Sequence, residues 1–324
     1  MMSTKPTIVS AAILCIVLFV ANVGTGFAAD KIRVGKAQSA AWIFLPVDVG
    51  IDEGIFARYG LDVEILDLAG DAKVQQALAS DSIDFGLGSG PGMAFLAKGS
   101  PAMGVAAFGG APRGVSTMVL ADSPIKTVAD LKGKLVSVST KGSLTEWLTE
   151  QMAIQEGWGA DGIRTVALGA IANAIASLKA GQVDAVTLAT EAGFKLEEEK
   201  QGRIVAYMDK YAPHFISEVV FVRKSLLEND PALVDRFLKG FFAAIAFEKA
   251  NKEKTSAIAE RVLHQSPTVA GRTYDYEISM FETDGHFDEK AVEVLKKSFV
   301  DTHTLSEIPR DDQLFTTRFL PVKP

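Results

Sequence analysis

Two successive runs of strand–helix alternation constrain this 324-residue chain more than any other feature. In the first run, segments at 31–36, 61–66, 83–88, 104–108 and 115–121 read as strands, with helices at 44–51, 72–79 and 93–97 between them. After Ser123-Pro124 the pattern starts again, with a short helix at 128–131 and strands at 135–139, 163–168, 183–188 and 203–208. Helices at 143–156, 172–180 and 191–201 separate those strands. Such alternation requires crossover connections, and hence an α/β fold with largely parallel sheets. Two runs predict two lobes with a core each, and the length accommodates both. A further apolar strand at 216–223 leads into helices at 231–248, 255–264 and 289–302 and an irregular tail, which are expected to pack back on the first lobe.

The two runs echo each other weakly. Ala77-Leu78-Ala79-Ser80-Asp81-Ser82-Ile83-Asp84 lines up with Ser177-Leu178-Lys179-Ala180-Gly181-Gln182-Val183-Asp184. Both read as a helix end, a small turn, an apolar residue and an aspartate opening a strand, which fits two similar lobes or the shared grammar of α/β units.

The first 28 residues read as a cleavable export signal. Lys5 precedes an apolar run of 13 residues, 8–20, and Gly26-Phe27-Ala28 offers a small-x-small cleavage site. The run is shorter than the roughly 20 residues that span a bilayer. The only cysteine, Cys15, lies inside it, so the mature chain is expected to hold no thiol, disulfide or cysteine metal ligand. The net charge of −7 is spread without a basic block, which argues against a nucleic-acid partner. His214, His264, His286 and His303 are scattered without metal-ligand spacing, so no metal is expected. No Gly-x-Ser-x-Gly elbow, phosphate loop or dinucleotide fingerprint occurs.

The candidate binding residues cluster just past the carboxyl ends of the proposed strands, the edge at which open α/β sheets take ligands. Gly142-Ser143 follows the strand at 135–139, and Ser143 with Glu146 forms a capping box. That helix start suits an anion or a polar oxygen, although Ser143 can equally serve only as a cap. Gly86-Leu87-Gly88-Ser89-Gly90 reads as a ligand loop of close approach or as a packing turn. Trp42, Phe44, Trp147 and Phe194 recur at the same topological place. Arg113 has a planar fork suited to a carboxylate or sulfonate, and a solvated surface arginine fits its position as well.

An ordered series of short motifs adds to this reading. It runs through Asp52-Glu53-Gly54-Ile55-Phe56, Tyr59-Gly60-Leu61-Asp62-Val63, Asp84-Phe85-Gly86, Asp130-Leu131-Lys132-Gly133-Lys134, Gly142-Ser143 and Ala180-Gly181-Gln182-Val183-Asp184-Ala185. Together these resemble the nitrate/sulfonate/taurine type of ABC-transporter substrate-binding proteins, related to NMT1/THI5-like binders of thiamine precursors. The resemblance implies a type II periplasmic binding protein-like fold, with two lobes of mixed, mostly parallel sheet flanked by helices and joined by two hinge strands. The expected boundaries are a signal peptide at 1–28, lobe 1 at 29–121, lobe 2 at 122–213, and a return to lobe 1 with C-terminal helices at 214–324. Carried over by position, the ligand would meet Gln38, Ser39 and Trp42, then Gly88, Ser89, Gly90 and Pro91, then Gly142 and Ser143, and finally Thr187, Thr190 and Glu191.

The implied function is a monomeric, periplasmic, non-catalytic receptor without cofactor, which closes on a small organic solute, a sulfonate, carboxylate or related polar molecule, and delivers it to an ABC import permease. The alternative is an enzyme on the same fold, desulfinase-like or a pyrimidine-precursor synthase. The chain departs from the sulfonate pattern at Leu188-Ala189-Thr190-Glu191-Ala192-Gly193-Phe194, where the family often carries an aromatic-rich segment. An acid there disfavours a bare anion or favours an amino group.

Overall fold

A computed structural model describes residues 29–324 together with Met1, so the expected export signal lies outside the described residues apart from Met1. Among the described residues no helix is long and apolar enough to cross a membrane. Among the described residues, ten strands form two sheets of five. The first holds β1 (Asp30–Lys36), β2 (Leu61–Asp67), β3 (Phe85–Ser89), β4 (Ala102–Gly109) and, far along the chain, β10 (Glu218–Arg223). The second holds β5 (Val115–Leu120), β6 (Leu135–Val138), β7 (Arg164–Ala167), β8 (Ala185–Ala189) and β9 (Gly202–Tyr207).

The strand orders are β2-β1-β3-β10-β4 and β7-β6-β8-β5-β9. Each sheet has three parallel strands on one side and an antiparallel return strand inserted beside them. The central strands β3 and β8 are buried throughout, whereas the edge strands β2 and β7 are largely half-exposed or exposed. That difference follows from covering both faces of a parallel sheet with crossover helices while its edges stay wet.

One expectation is corrected. The sequence order places the strand at 115–121 in the first lobe, but β5 pairs antiparallel with β8 and β9 in the second sheet. The chain therefore crosses between lobes through 110–114, ahead of the expected boundary at 121, and returns through 208–217. These crossings are connecting segments; the strands of each sheet end before them.

Helix Pro231–Ala250 completes the first lobe, while helix Pro267–Glu277 also meets the second, where Tyr276 lies edge-on to Phe194 at 5.9 Å. In helix Pro231–Ala250, Phe237 stacks on Phe85 at 4.0 Å and on Phe56 at 5.7 Å, and Phe241 meets Phe108 edge-on at 5.2 Å. Gly50 and Gly240 make room for the Phe56 ring, since a Cβ at either would come within 2.7 Å of it. Truncating such a buried phenylalanine typically costs about 3–5 kcal/mol.

The sequence echo has a physical basis. The Asp84 carboxylate accepts the Arg33 backbone N–H at 2.9 Å, and the Asp184 carboxylate accepts the Leu135 N–H at 2.8 Å. In both lobes an aspartate leading into the last of the three parallel strands thus ties down the first of them. Asp84 also accepts from the guanidinium groups of Arg33 and Arg223 at 3.0–3.1 Å. Burial pushes its carboxyl up, but these bonds outweigh burial and hold it below the usual carboxylate range. A depressed pKa in the fold means that the stabilisation is present above the ordinary carboxylate pKa and is lost as pH falls through the folded value. Asp84→Ala is expected to lower stability at neutral pH by about 2–3 kcal/mol, with the deficit shrinking in acid. Urea titrations of both proteins at neutral and acid pH measure this, and a deficit independent of pH would contradict it.

Candidate functional site

The two sheets face each other edge to edge at the carboxyl ends of their parallel strands. Past β1, the segment Ala37–Phe44 contributes Gln38, Ile43 and Phe44 to an inter-lobe cavity of about 50 Å³. Past β3 comes Ser89, past β6 Ser139, and at the end of β8 Ala189. The antiparallel return strands begin on the same edge, which places Glu218 opposite Ser89 and Val115 opposite Ala189 in register. Gly70 and Asp71 open the helix after β2, and Leu144 and Thr145 open the helix after β6.

The lobes stand drawn together on this cavity. Gln38 Nε2 donates to the Gly169 carbonyl at 3.2 Å, and the Trp42 backbone N–H donates to Glu191 Oε1 at 2.6 Å. Gly70 has φ +104° and lies against Thr140, where a Cβ would come within 2.4 Å of that side chain. Only glycine tolerates both the backbone angle and the approach.

Asp71 is the most elaborately held group on the wall. Its oxygens accept the Ser89 backbone N–H at 2.7 Å and the Ser89 hydroxyl at 2.9 Å. A Cβ at Gly88 would come within 2.7 Å of Asp71 Oδ1, and one at Gly92 within 3.0 Å. The glycine-rich turn after β3 therefore makes room for a carboxylate of the protein itself. Burial pushes the Asp71 carboxyl up, while the Ser89 donors and the Leu144 N–H pull the other way. Glu218, 4% exposed, has Oε2 without a partner, and burial followed by the Asp71 charge pushes it well above the ordinary range.

Of the thirteen residues proposed from sequence, Gln38 and Ser89 line the cavity. Ser39 is exposed, and its carbonyl accepts from Lys36. The Trp42 ring packs against Tyr274 and Phe281 in the core, and only its backbone reaches Glu191. Gly88 shapes the seat of Asp71, and Gly90 abuts the Ile216 carbonyl. Pro91 and Gly142 border a separate groove on another side of the lobe interface, beside Phe95 and Trp147. Ser143 is buried and caps its helix, accepting the Glu146 N–H at 3.4 Å, while Glu146 accepts the Gly142 N–H at 2.8 Å.

Arg113 turns away from the cavity to the Tyr276 carbonyl, at 3.2 Å, and to the Tyr276 ring. Thr187 joins Thr117 and Thr149 in a buried hydroxyl cluster, and Thr190 donates to the Arg113 carbonyl at 2.8 Å. Glu191 latches the lobes from behind the cavity. Its Oε2 lacks a partner, and burial raises its carboxyl to about 7 against the opposing N–H bonds. Sequence reasoning missed Asp71, Glu218, Ser139 and Thr145. The signal for Asp71 was present, since Gly70-Asp71 opens a helix directly after a strand. No group of three or more potential metal-ligating side chains occurs among the described residues.

Comparisons with known proteins agree with this architecture. The family model described as NMT1/THI5 like matches residues 43–254. A Brucella abortus protein named "Putative binding protein" is 24% identical over 217 residues, spanning 66% of this chain and 66% of its own length, just under two thirds. A Bacillus subtilis protein named "Putative aliphatic sulfonates-binding protein" is 27% identical over 233 residues, covering 70% of this chain and 68% of its own. The crystallised alkanesulfonate-binding protein of Xanthomonas axonopodis pv. citri, bound to MOPS, superposes with a TM-score of 0.76 at 18% identity. That superposition covers 87% of this chain and 95% of the other, and at such identity the likeness is one of fold.

Two outcomes follow from the geometry. Ser143→Ala is expected to lower stability by about 1 kcal/mol through the lost cap, and to leave solute affinity unchanged in calorimetry; a tenfold weaker affinity would put Ser143 in contact with the solute. For Glu191 the folded pKa lies above its ordinary value of 4.5, so its share of stability is full below that value and is lost as pH rises through about 7. Melting temperatures recorded across this window should fall more steeply for the wild type than for Glu191→Gln, and parallel curves would show that Glu191 is not raised.

Proposed function

Since the chain belongs to the NMT1/THI5-like family, we propose that it is an exported solute-binding receptor that captures a small organic molecule between its lobes and hands it to the permease of an ABC importer. The observation that carries this reading is the cavity at the carboxyl ends of four parallel strands, two from each lobe. Only two crossings, 110–114 and 208–217, connect the lobes in the chain, a construction suited to hinge closure. Binding would then favour the closed population by the difference in affinity between the open and closed forms.

Delivery to a permease and a periplasmic location rest on the leader read at 1–28 and on the resemblance. The receptor is proposed to act as a monomer and without catalysis. A desulfinase-like mechanism needs a cysteine nucleophile, and the only cysteine is Cys15, within that leader. Relatives named for sulfonate binding make sulfonates one class to test, beside carboxylates, amines and pyrimidines.

A solute screened by thermal denaturation should raise the melting temperature, because a ligand that binds only the folded state stabilises it by mass action, about 2.7 kcal/mol at a hundredfold excess over Kd. Small-angle scattering should show the particle contract on addition of that solute. A screen across all four classes without any shift would overturn the receptor reading.

A further inference from the structure

The cavity between the lobes is acidic, and resting on the receptor reading above we propose that the captured solute carries a protonated amine, held between Asp71 and Glu218. Neither residue was singled out by the sequence, and together they set the class of solute.

The first ground is what the cavity lacks. None of the side chains lining it is lysine, arginine or histidine. Arg113, the one cation proposed there from sequence, is committed to the Tyr276 carbonyl and ring. Lys36, the nearest buried lysine in the chain order, is bound to Asp48 and to the Ser39 carbonyl. A sulfonate or carboxylate would therefore enter without a cationic side chain to meet it.

The second ground concerns the helix start, which can hold an anion without any cation. That place is taken. The Asp71 carboxylate occupies the donors of Ser89 and faces the Leu144 N–H at the opening of helix Leu144–Gln155. An anionic solute would have to displace a carboxylate seated between two glycines whose missing Cβ atoms make its space.

The third ground is Glu218. It is 4% exposed, lines the cavity, and its Oε2 has no partner. A buried acceptor of this kind, beside a second carboxylate, is costly until a donor reaches it. An ammonium group supplies three donors and a positive charge to both acids at once. Burial and the Asp71 charge push the Glu218 carboxyl up, a direction that a cation close to both acids would reverse. The remaining wall is apolar, with Ile43, Phe44, Val115 and Leu144, and suits a short hydrocarbon body.

Matched probes test this on the purified protein by calorimetry and thermal shift: butylamine, butanesulfonate and butanol share one body, and benzylamine, benzenesulfonate and benzyl alcohol another. Amines are expected to bind at least about tenfold tighter than their sulfonate and alcohol counterparts. Glu218→Gln, and separately Asp71→Asn, should weaken amine binding by about tenfold or more, while Glu218→Gln raises the melting temperature of the empty protein. Far-ultraviolet circular dichroism confirms that each variant folds. A sulfonate or alcohol that binds as tightly as its amine overturns the proposal and leaves the receptor standing. So does amine binding unchanged in both variants, or a true ligand from the wider screen that lacks an amine. If no solute of any class binds, the receptor reading itself fails and this inference falls with it.

Discussion

In each sheet the antiparallel return strand begins on the edge where two parallel strands end, and this one arrangement positions everything that faces the gap. β10 runs back between β3 and β4, so its first residue, Glu218, pairs with Ser89. β5 runs back between β8 and β9, so its first residue, Val115, pairs with Ala189. A parallel sheet alone would send its helix starts and loops to that edge. Inserting a return strand adds a residue in regular backbone at the same place, paired on both sides for Glu218 and with Ala189 alone for Val115. The wall of the cavity therefore includes rigid strand termini as well as loops. Both inter-lobe crossings lead into these return strands, so any movement of one lobe on the other turns about the very residues that form the wall.

The fold was largely legible because its signals are local. Alternation of strands and helices, the restart after Ser123-Pro124 and the aspartates of the echo are each short-range patterns that the structure explains by one hydrogen bond or one crossover. The misassigned strand, β5, shows what was not local. Nothing in Val115–Leu120 states which sheet it joins, since an apolar strand satisfies either, and its partners lie some seventy residues downstream. Adjacency in sequence favoured the first lobe; register with β8 and β9 decided for the second.

The site was legible in place but not in identity. Reasoning that ligands meet strand ends located Gln38 and Ser89. The glycine-rich turn at the end of β3 fits a ligand loop or a packing turn by sequence, and the room its glycines leave is taken by Asp71. An aspartate at the first turn of a helix has an ordinary explanation in the helix dipole, which conceals any second role. Glu218 stands nearly 150 residues beyond Asp71, and only the return of the chain to the first sheet brings the two acids near each other. Ser143 had the opposite fate. Its role as a helix cap was legible, although only half of the capping box forms: the hydroxyl accepts the Glu146 N–H, while the Glu146 carboxylate takes the Gly142 N–H in place of that of Ser143.

The division of chemistry between the lobes bears on the order of events. Asp71, Glu218, Gln38 and Ser89 all belong to the first lobe, which also carries the helices that complete its core. The second lobe offers Val115, Leu144 and Ala189, with the hydroxyls of Ser139 and Thr145 already bonded to each other. A solute arriving at the open protein would find charge on one wall and an apolar cover on the other. Charge attracts over a distance, whereas apolar contact acts only once surfaces meet. Capture would thus begin on the first lobe, and closure would bring the second lobe over the remainder of the solute, drying the acids' surroundings and strengthening their hold. Contacts that bridge the lobes without any solute include Gln38 to Gly169, Trp42 to Glu191, Ser266 to Glu198 and Arg272 to Glu197. Such contacts would stabilise a closed form by a fixed amount and the solute would supply the rest, so their combined strength would set how much of the protein stands closed before any solute arrives.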